Sequence, residues 1–147
     1  YTLTHATLAN YWDFNSALPG LGIYATNEYQ NGTALENGPL TLKVNNSTIY
    51  GSTENMVELK QTSGQTFTTE FNYSLLKYGT KATYATTNSI KNQDPKFVNY
   101  FTQKMNLRVK EDSLAKGKGS SSYVSGSTLK DIVGVTRTNP PTIGAYQ

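Results

Sequence analysis

"NPPTIGAYQ", residues 139–147, is the stretch on which the fold reading turns. A chain terminus is usually polar and loosely held. This one places Ile143 and Tyr146 beside Pro140, Pro141 and Gly144. Proline restricts the backbone in advance, so less conformational freedom is lost when such a segment docks. The segment therefore predicts a surface elsewhere in the chain on which these residues lie. Just upstream, "DIVGVTR" (131–137) supplies Asp131, a turn-forming Gly134 and Arg137. Arg137 is expected to meet Asp131 or a backbone carbonyl.

That surface is predicted to be β-structure. "LTLKVNNSTIYG" (40–51) alternates Leu40, Leu42 and Val44 on one face, and "TFTTEFNYSLLKYG" (66–79) carries Phe67, Phe71 and the pair Leu75, Leu76. "NMVELKQ" (55–61) sets Met56 opposite Val57 and Leu59, and no stretch keeps a helical period over eleven residues. Four segments resemble one another: "LTHATLANY" (3–11), "KVNNSTIYG" (43–51), "EFNYSLLKY" (70–78) and "YATTNSIKN" (84–92). Each has a polar Asn, Thr or Ser patch followed by aliphatics. Leu8 and Ile49 are 41 residues apart, Ile49 and Leu76 27, and Leu76 and Ile90 14. A 27-residue step with pieces near 40–50, 55–61 and 66–73 fits one coil of a parallel β-helix. An antiparallel sandwich with coincidental similarity fits the same pattern.

Composition narrows the function classes. The chain has 147 residues, enough for one domain with a real core. Only 16% are charged, and the polar excess is Thr, Asn, Ser, Gln and Gly, with eleven tyrosines. Mean hydropathy is −0.52 and the isoelectric point about 9.0. The net charge of +3 is mild, and its basic residues gather late, at Lys104, Arg108, Lys110, Lys116, Lys118, Lys130 and Arg137, without a dense run. No nucleic-acid partner is expected. No apolar run approaches the length of a membrane span, so no direct span is expected. Cysteine is absent, which excludes a disulfide framework and thiol chemistry. The opening "YTLTHATLANYW" already reads as strand, and a processed or truncated chain is expected.

The C-terminal third carries a resemblance. "NQDPKFVNY" (92–100), "NLRVKEDSLAKGKG" (106–119), "DIVGVTR" (131–137) and "PPTIGAYQ" (140–147) follow one another in order over about 56 residues. This series resembles the terminal region of bacterial right-handed parallel β-helix proteins of the pectate-lyase-like superfamily, of the choice-of-anchor Q type. Their usual run is an N-x-DP-x-F step, an F-R-L-x-x-x-S-P-A-I-x-x-G step, a D-I-D-G-x-x-R step and a closing P-D-I-G-A-Y-E. Here Leu114 stands for the proline, Lys116 for an aliphatic, Val133 for an acid, and Thr142 and Gln147 for the two closing acids. Any pairing of those acids with the arginine has no counterpart in this chain.

The resemblance implies an all-β fold: the last three to four coils of a right-handed parallel β-helix over residues 1–105, with an inserted loop near 13–39. Residues 106–147 would form the final coil and a C-terminal cap. Asp131, Gly134, Arg137, Pro141, Ile143 and Tyr146 are the expected cap residues, closing an otherwise open apolar end. The implied role is a non-catalytic module, extracellular or at a bacterial cell surface, with association to the outer membrane as a further expectation. It would bind a polysaccharide or assemble with a surface protein. Its N-terminal end would be covered by missing chain or another subunit. The alternatives are the C-terminal part of a polysaccharide lyase or glycosidase whose active coils lie upstream, and an accessory subunit of an outer-membrane complex.

No catalytic set emerges from the residues. The one histidine, His5, lacks the partners of a nucleophile site, and it is read as a surface or turn residue beside Thr4 and Thr7. Glu111 and Asp112 are the one adjacent acid pair, flanked by Lys110, so neither metal nor other cofactor is expected. Within the inserted loop, Tyr24 and Tyr29, with Trp12 at its entry and Asn27 between, form the candidate ligand-binding set. Aromatic platforms beside amides suit sugar stacking and hydroxyl recognition. Packing of these rings onto the fold is the competing reading. "DSL" (112–114) fits a short O-glycosylation pattern, and Asn31, Asn45, Asn46 and Asn72 head Asn-linked sequons. Asparagines stacked along the repeats would explain three of the four.

Overall fold

The computed structural model describes residues 1–12, 20–79 and 84–147. Among them the fold is all-β, built mainly from parallel sheets. The strands are β1 (Thr2–Thr4), β2 (Thr7–Asn10), β3 (Ile23–Thr26), β4 (Glu28–Asn31), β5 (Ala34–Asn37), β6 (Leu40–Asn45) and β7 (Thr48–Gly51). They continue with β8 (Val57–Lys60), β9 (Phe67–Asn72), β10 (Leu75–Leu76), β11 (Thr86–Thr87), β12 (Ile90–Lys91), β13 (Phe97–Asn99) and β14 (Asn106–Val109).

One sheet runs β1-β6-β9-β11, a second runs β2-β7-β10-β12, and β3 pairs β8 in a third; all these pairs are parallel. Parallel pairing of β6 with β9 excludes the antiparallel sandwich for these strands. The repeat predicts the registers Leu8↔Ile49 and Ile49↔Leu76, and both occur. The last step differs: Ile90 pairs with Leu75 rather than Leu76. The expected piece 40–50 also divides, its halves β6 and β7 entering different sheets. The piece 66–73 contains β9, which begins the next step on β6 rather than ending the same one.

What divides each piece is a recurring corner. His5, Asn46, Tyr73 and Asn88 occupy equivalent positions and share φ values of 54°, 46°, 48° and 47°. This left-handed conformation turns the chain between the first and second sheets, and asparagine tolerates it better than most residues. The next residue is serine in three of the four corners. The Ala6 N–H donates to Ser47 Oγ, the Ser47 N–H to Ser74 Oγ, and the Ser74 N–H to Ser89 Oγ, at 3.0, 3.2 and 3.0 Å. Backbone groups that the turn withdraws from the sheets are thus satisfied step by step. Beside them, Asn72 Nδ2 donates to Asn45 Oδ1 at 3.1 Å, the expected stacking of sequon asparagines.

Alternation then sorts the side chains. Val44, Ile49, Met56, Val57, Phe71 and Leu76 fill the space between the sheets, and Leu3, Leu8 and Leu40 pack at its margin. Gly51 is required here, because a Cβ would lie 2.1 Å from the Asn10 carbonyl oxygen. Leu75 points the other way, into a separate cluster with Ala115 and Ile143. The second sheet is therefore covered on both faces, the outer one by the C-terminal segment.

Two sequence expectations need correction. The region near 13–39 is no single loop: residues 13–19 lie outside the described residues, β3 belongs to the third sheet, and β4 and β5 form an antiparallel hairpin. Residues 106–109 do not start a final parallel coil. β14 pairs antiparallel with β13, because the turn between them carries the chain back on itself.

Candidate functional site

Three surface features hold the side chains that could recognise something. The first is the β4–β5 hairpin. At its base Asn27 is only 4% exposed. Its Oδ1 accepts the Thr62 N–H at 2.7 Å and its Nδ2 donates to the Thr62 carbonyl at 2.9 Å. Asn27 thus pins the base of the hairpin to Thr62 and is too buried to present its amide to a ligand. Farther out, the Tyr29 hydroxyl donates to Glu36 Oε2 at 3.0 Å and Asn31 Nδ2 to Glu36 Oε1 at 2.9 Å. Lys60 Nζ and Thr62 Oγ1 donate to Glu28, and these bonds hold its carboxyl below the usual carboxylate range. Glu28 and Glu36 line a cleft of about 330 Å³ with Leu35, Asn37 and Thr62.

Tyr24 lies elsewhere. It alternates outward on β3, between buried Ile23 and Ala25, and is half exposed. With Tyr1, Leu3, Leu40 and Leu42 it lines an apolar cleft of about 400 Å³ at the end of the sheets that begins with β1 and β3. Trp12 is 39% exposed, and its backbone N–H donates to Ser52 Oγ. Neither Trp12 nor Tyr29 lines the Tyr24 cleft. The four candidates are therefore not brought together into one site.

A second aromatic feature was not picked out by the sequence pattern. Tyr11, at the end of β2, stacks on Tyr100 with ring centres 4.3 Å apart, and Tyr100 stacks on Phe101 at 5.0 Å. Phe97 and Tyr50 meet the Tyr11 ring at 6.1 and 6.4 Å. Burial pushes the Tyr11 hydroxyl pKa well up, helped by the charge of Asp94. The outer members stay open: Phe101 is 54% exposed, with Val98, Tyr100 and Met105 also exposed around it. Exposed Gln103 and Lys104 follow in a 3-10 turn, Thr102–Lys104. Stacking of Tyr11 on Tyr100 joins residues 89 positions apart, a contact that no local periodicity signals.

The third feature is the C-terminal segment. Burial pushes the Asp131 carboxyl up, but the backbone N–H groups of Gln147, Val135 and Val133, with the charge of Arg137, outweigh it and hold it below its usual value. Gly134 makes the turn at φ 89°. Arg137 is 8% exposed and donates through Nη2 to the Ala145 carbonyl at 3.2 Å. The segment then lies across the second sheet. The Gly144 N–H donates to the Asn46 carbonyl at 2.7 Å, the Ala145 N–H to Thr7 Oγ1 at 2.8 Å, and Ile143 packs on Leu75. Pro141 accepts from the Gly119 N–H, and Tyr146 lies under Arg108, 5.3 Å from its guanidinium carbon. These contacts run along the face of the second sheet, across β2, β7 and β10, and the cluster around Ile143 also takes in Ile90 of β12.

His5 joins this region. It sits at a turn, as expected, but is 6% exposed rather than on the surface. Asn46 Oδ1 accepts the Ser120 N–H, so Asn46 Nδ2 is the donor that meets His5 Nε2 at 3.1 Å. The ring is neutral, with its hydrogen on Nδ1. Burial and the Arg137 charge lower its pKa to about 4. Gly144 pulls the other way, without reaching hydrogen-bond geometry at Nδ1.

Other sequence candidates are occupied. Ser113 is 7% exposed and its hydroxyl donates to the Pro95 carbonyl, so the "DSL" pattern presents no free acceptor. Asp112 is paired with Lys96 and Glu111 with Lys116. Among the described residues no cluster of three His, Cys, Asp or Glu could hold a metal, and no helix is long and apolar enough to cross a membrane. Comparison of the chain with family models, with curated proteins and with solved structures finds no match.

Proposed function

We propose that the chain is a right-handed parallel β-helix module, akin to the choice-of-anchor Q proteins of the pectate-lyase-like superfamily, that binds polysaccharide at a bacterial cell surface without catalysing its cleavage. The strand order supports the solenoid part: each passage from the first sheet to the second lands beside the preceding one in parallel register. The observation that carries the binding part is the exposed ring stack Tyr11–Tyr100–Phe101. A sugar ring offers C–H groups to an aromatic face, and exposed Gln103 and Lys104, which follow Phe101 in the chain, offer an amide and an ammonium to an extended polymer's hydroxyls. A lyase or glycosidase reading gains nothing from the hairpin acids. A general acid needs a raised pKa, and that of Glu28 is lowered.

Titration calorimetry against neutral and acidic bacterial polysaccharides tests the proposal. Phe101→Ala weakens binding by about tenfold, the effect of losing one stacking contact near 1.4 kcal/mol. Far-UV circular dichroism stays unchanged. Binding that survives Phe101→Ala together with Tyr100→Ala intact would refute it.

Surface assembly is a second reading with its own observation. The outer edges of β1, β2 and β3 are unpaired among the described strands, and all belong to the same end of the three sheets as the apolar Tyr24 cleft. A polypeptide adding parallel strands there covers open backbone edges and apolar side chains at once. Amide exchange on β1 slows when such a partner is bound. Exchange that stays fast in the complex rejects this docking surface.

A further inference from the structure

The chain holds two Asn-Gly pairs, Asn31-Gly32 at the tip of the β4–β5 hairpin and Asn37-Gly38 at its base. Asparagine before glycine is chemically labile. The backbone nitrogen of the following residue can add to the side-chain amide carbon, and glycine has no Cβ to hinder that approach. In sequence the two pairs are equals. The fold makes them different.

Asn37-Gly38 is closed to this chemistry. The Gly38 N–H, which would have to supply the nucleophile, donates to the Asn27 carbonyl at 2.9 Å. The leaving group is held as well, with Asn37 Nδ2 donating to the Ser63 carbonyl at 2.6 Å. Asn27 is itself buried and bonded to Thr62 through both amide atoms, so this nitrogen is released only when the whole junction opens.

Asn31-Gly32 lacks that backbone restraint. Asn31↔Ala34 is the last pair of the hairpin, and Gly32 and Thr33 make its turn. All of these residues are exposed. The Gly32 N–H has no hydrogen-bond partner among the described residues, and a Cβ placed on Gly32 would meet none of them within 4 Å. β4 and β5 pair with each other alone, and a two-stranded ribbon opens readily at its turn. Asn31 Nδ2 donates to Glu36 Oε1 at 2.9 Å, a bond between two exposed side chains.

We propose that Asn31 is a site of spontaneous covalent modification, converted to aspartate and isoaspartate through a succinimide formed with the Gly32 nitrogen, while the fold protects Asn37. The Gly32 nitrogen bonds to Asn31 Cγ, the Cγ–Nδ2 bond breaks, and the proton from the Gly32 nitrogen leaves with Nδ2 as ammonia. Water then opens the ring at either carbonyl. One opening gives aspartate, and the other routes the backbone through the side chain as isoaspartate. Neither product keeps the Nδ2 donor. A carboxylate takes its place opposite Glu36, so a hydrogen bond becomes a repulsion between like charges across the two strands. Glu28 and Glu36 already line the neighbouring cleft. The modified hairpin is looser and more acidic than the one first made.

The chain incubated in mildly alkaline buffer, followed by peptide mapping with mass spectrometry, reads both pairs at once. Exchange of the amide for a carboxyl raises the mass, and heavy-oxygen water labels the product. In the folded chain conversion at Asn31 is about tenfold or more faster than at Asn37, the difference set by the two bonds that close the second pair. It rises with pH, because the deprotonated Gly32 nitrogen is what attacks. In urea the two pairs convert at similar rates. Asn31→Gln abolishes the gain at that position, since glutamine would need a larger ring. Asn31→Asp, a stable copy of one product, speeds amide exchange at Ala34. Equal rates at both pairs in the folded chain would overturn the proposal, and so would an Asn31 that stays intact while folded and converts only in urea. Unchanged exchange at Ala34 in Asn31→Asp would overturn the loosening.

Discussion

Replacing Asn46 with alanine tests the corner that organises the whole chain. Asn46 is fully buried, holds φ at 46°, and exchanges two hydrogen bonds with the Ser120 backbone at 2.8 Å each. Alanine at that φ costs about 1 kcal/mol relative to a residue that tolerates the left-handed region. The lost amide strands the Ser120 N–H and carbonyl in a partly buried setting, at about 1–3 kcal/mol each. The total is about 3–7 kcal/mol. Asn88→Ala is the internal control. Asn88 has φ 47° at the equivalent corner, but its side chain is exposed. It reports the backbone term alone, about 1 kcal/mol. Urea unfolding followed by tyrosine and tryptophan fluorescence separates the two. Asn46→Ala moves the midpoint down by about 1–3 M more than Asn88→Ala, with the slope unchanged in both. Equal midpoints for the two variants would refute the clamp between the first corner and Ser120, and with it the claim that the C-terminal segment is held by side chains.

Three further outcomes follow from the same contacts. Ile143→Ala, at 1% exposure, lowers stability by about 2–4 kcal/mol, whereas Ile132→Ala, at 69%, stays within about 0.5 kcal/mol; thermal melts compare them. Acid destabilises the fold through His5. Its folded pKa of about 4 lies below the ordinary 6.5, so the unfolded chain takes up the proton first. Stability is full above 6.5 and falls between 6.5 and 4 by at most about 3 kcal/mol. Denaturant midpoints measured across that window, flattened in His5→Asn, check it. Asp131→Asn leaves one of three backbone donors without an acceptor and costs about 1–3 kcal/mol. The depressed carboxyl adds stability above pH 3.8 that is lost as pH falls below it, so the wild-type advantage over Asp131→Asn shrinks in acid.

The Leu8, Ile49 and Leu76 correspondence was legible because each step brings the same local pattern, polar residues then aliphatics, back to one register, although the steps are 41 and 27 residues long. Ile90 escaped by one residue, since β10 and β12 are two residues long and Leu75 and Leu76 are both buried. Asparagine at two corners tolerates the left-handed turn, and so does His5, but Tyr73 adopts it against its own preference, as neighbouring steps dictate. The apolar character of Ile143 was plain. Its partner Leu75 was not, because hydrophobicity says that a surface exists and not which one. Asn27 failed as a ligand residue for a related reason: an amide reads the same whether it faces sugar or the Thr62 backbone.

The bond from the Ala145 N–H to Thr7 Oγ1 spans 138 residues. It has a consequence for the order of events during synthesis. The parallel strands can pair as they emerge, each on the one before. The outer side of Thr7, Thr48 and Leu75 must wait for residues 143–145. At about 5–20 residues per second, that interval after Leu75 emerges is several seconds. During it the nascent chain shows an apolar, hydrogen-bond-hungry sheet face to the cytosol's chaperones, or to whatever export machinery carries it.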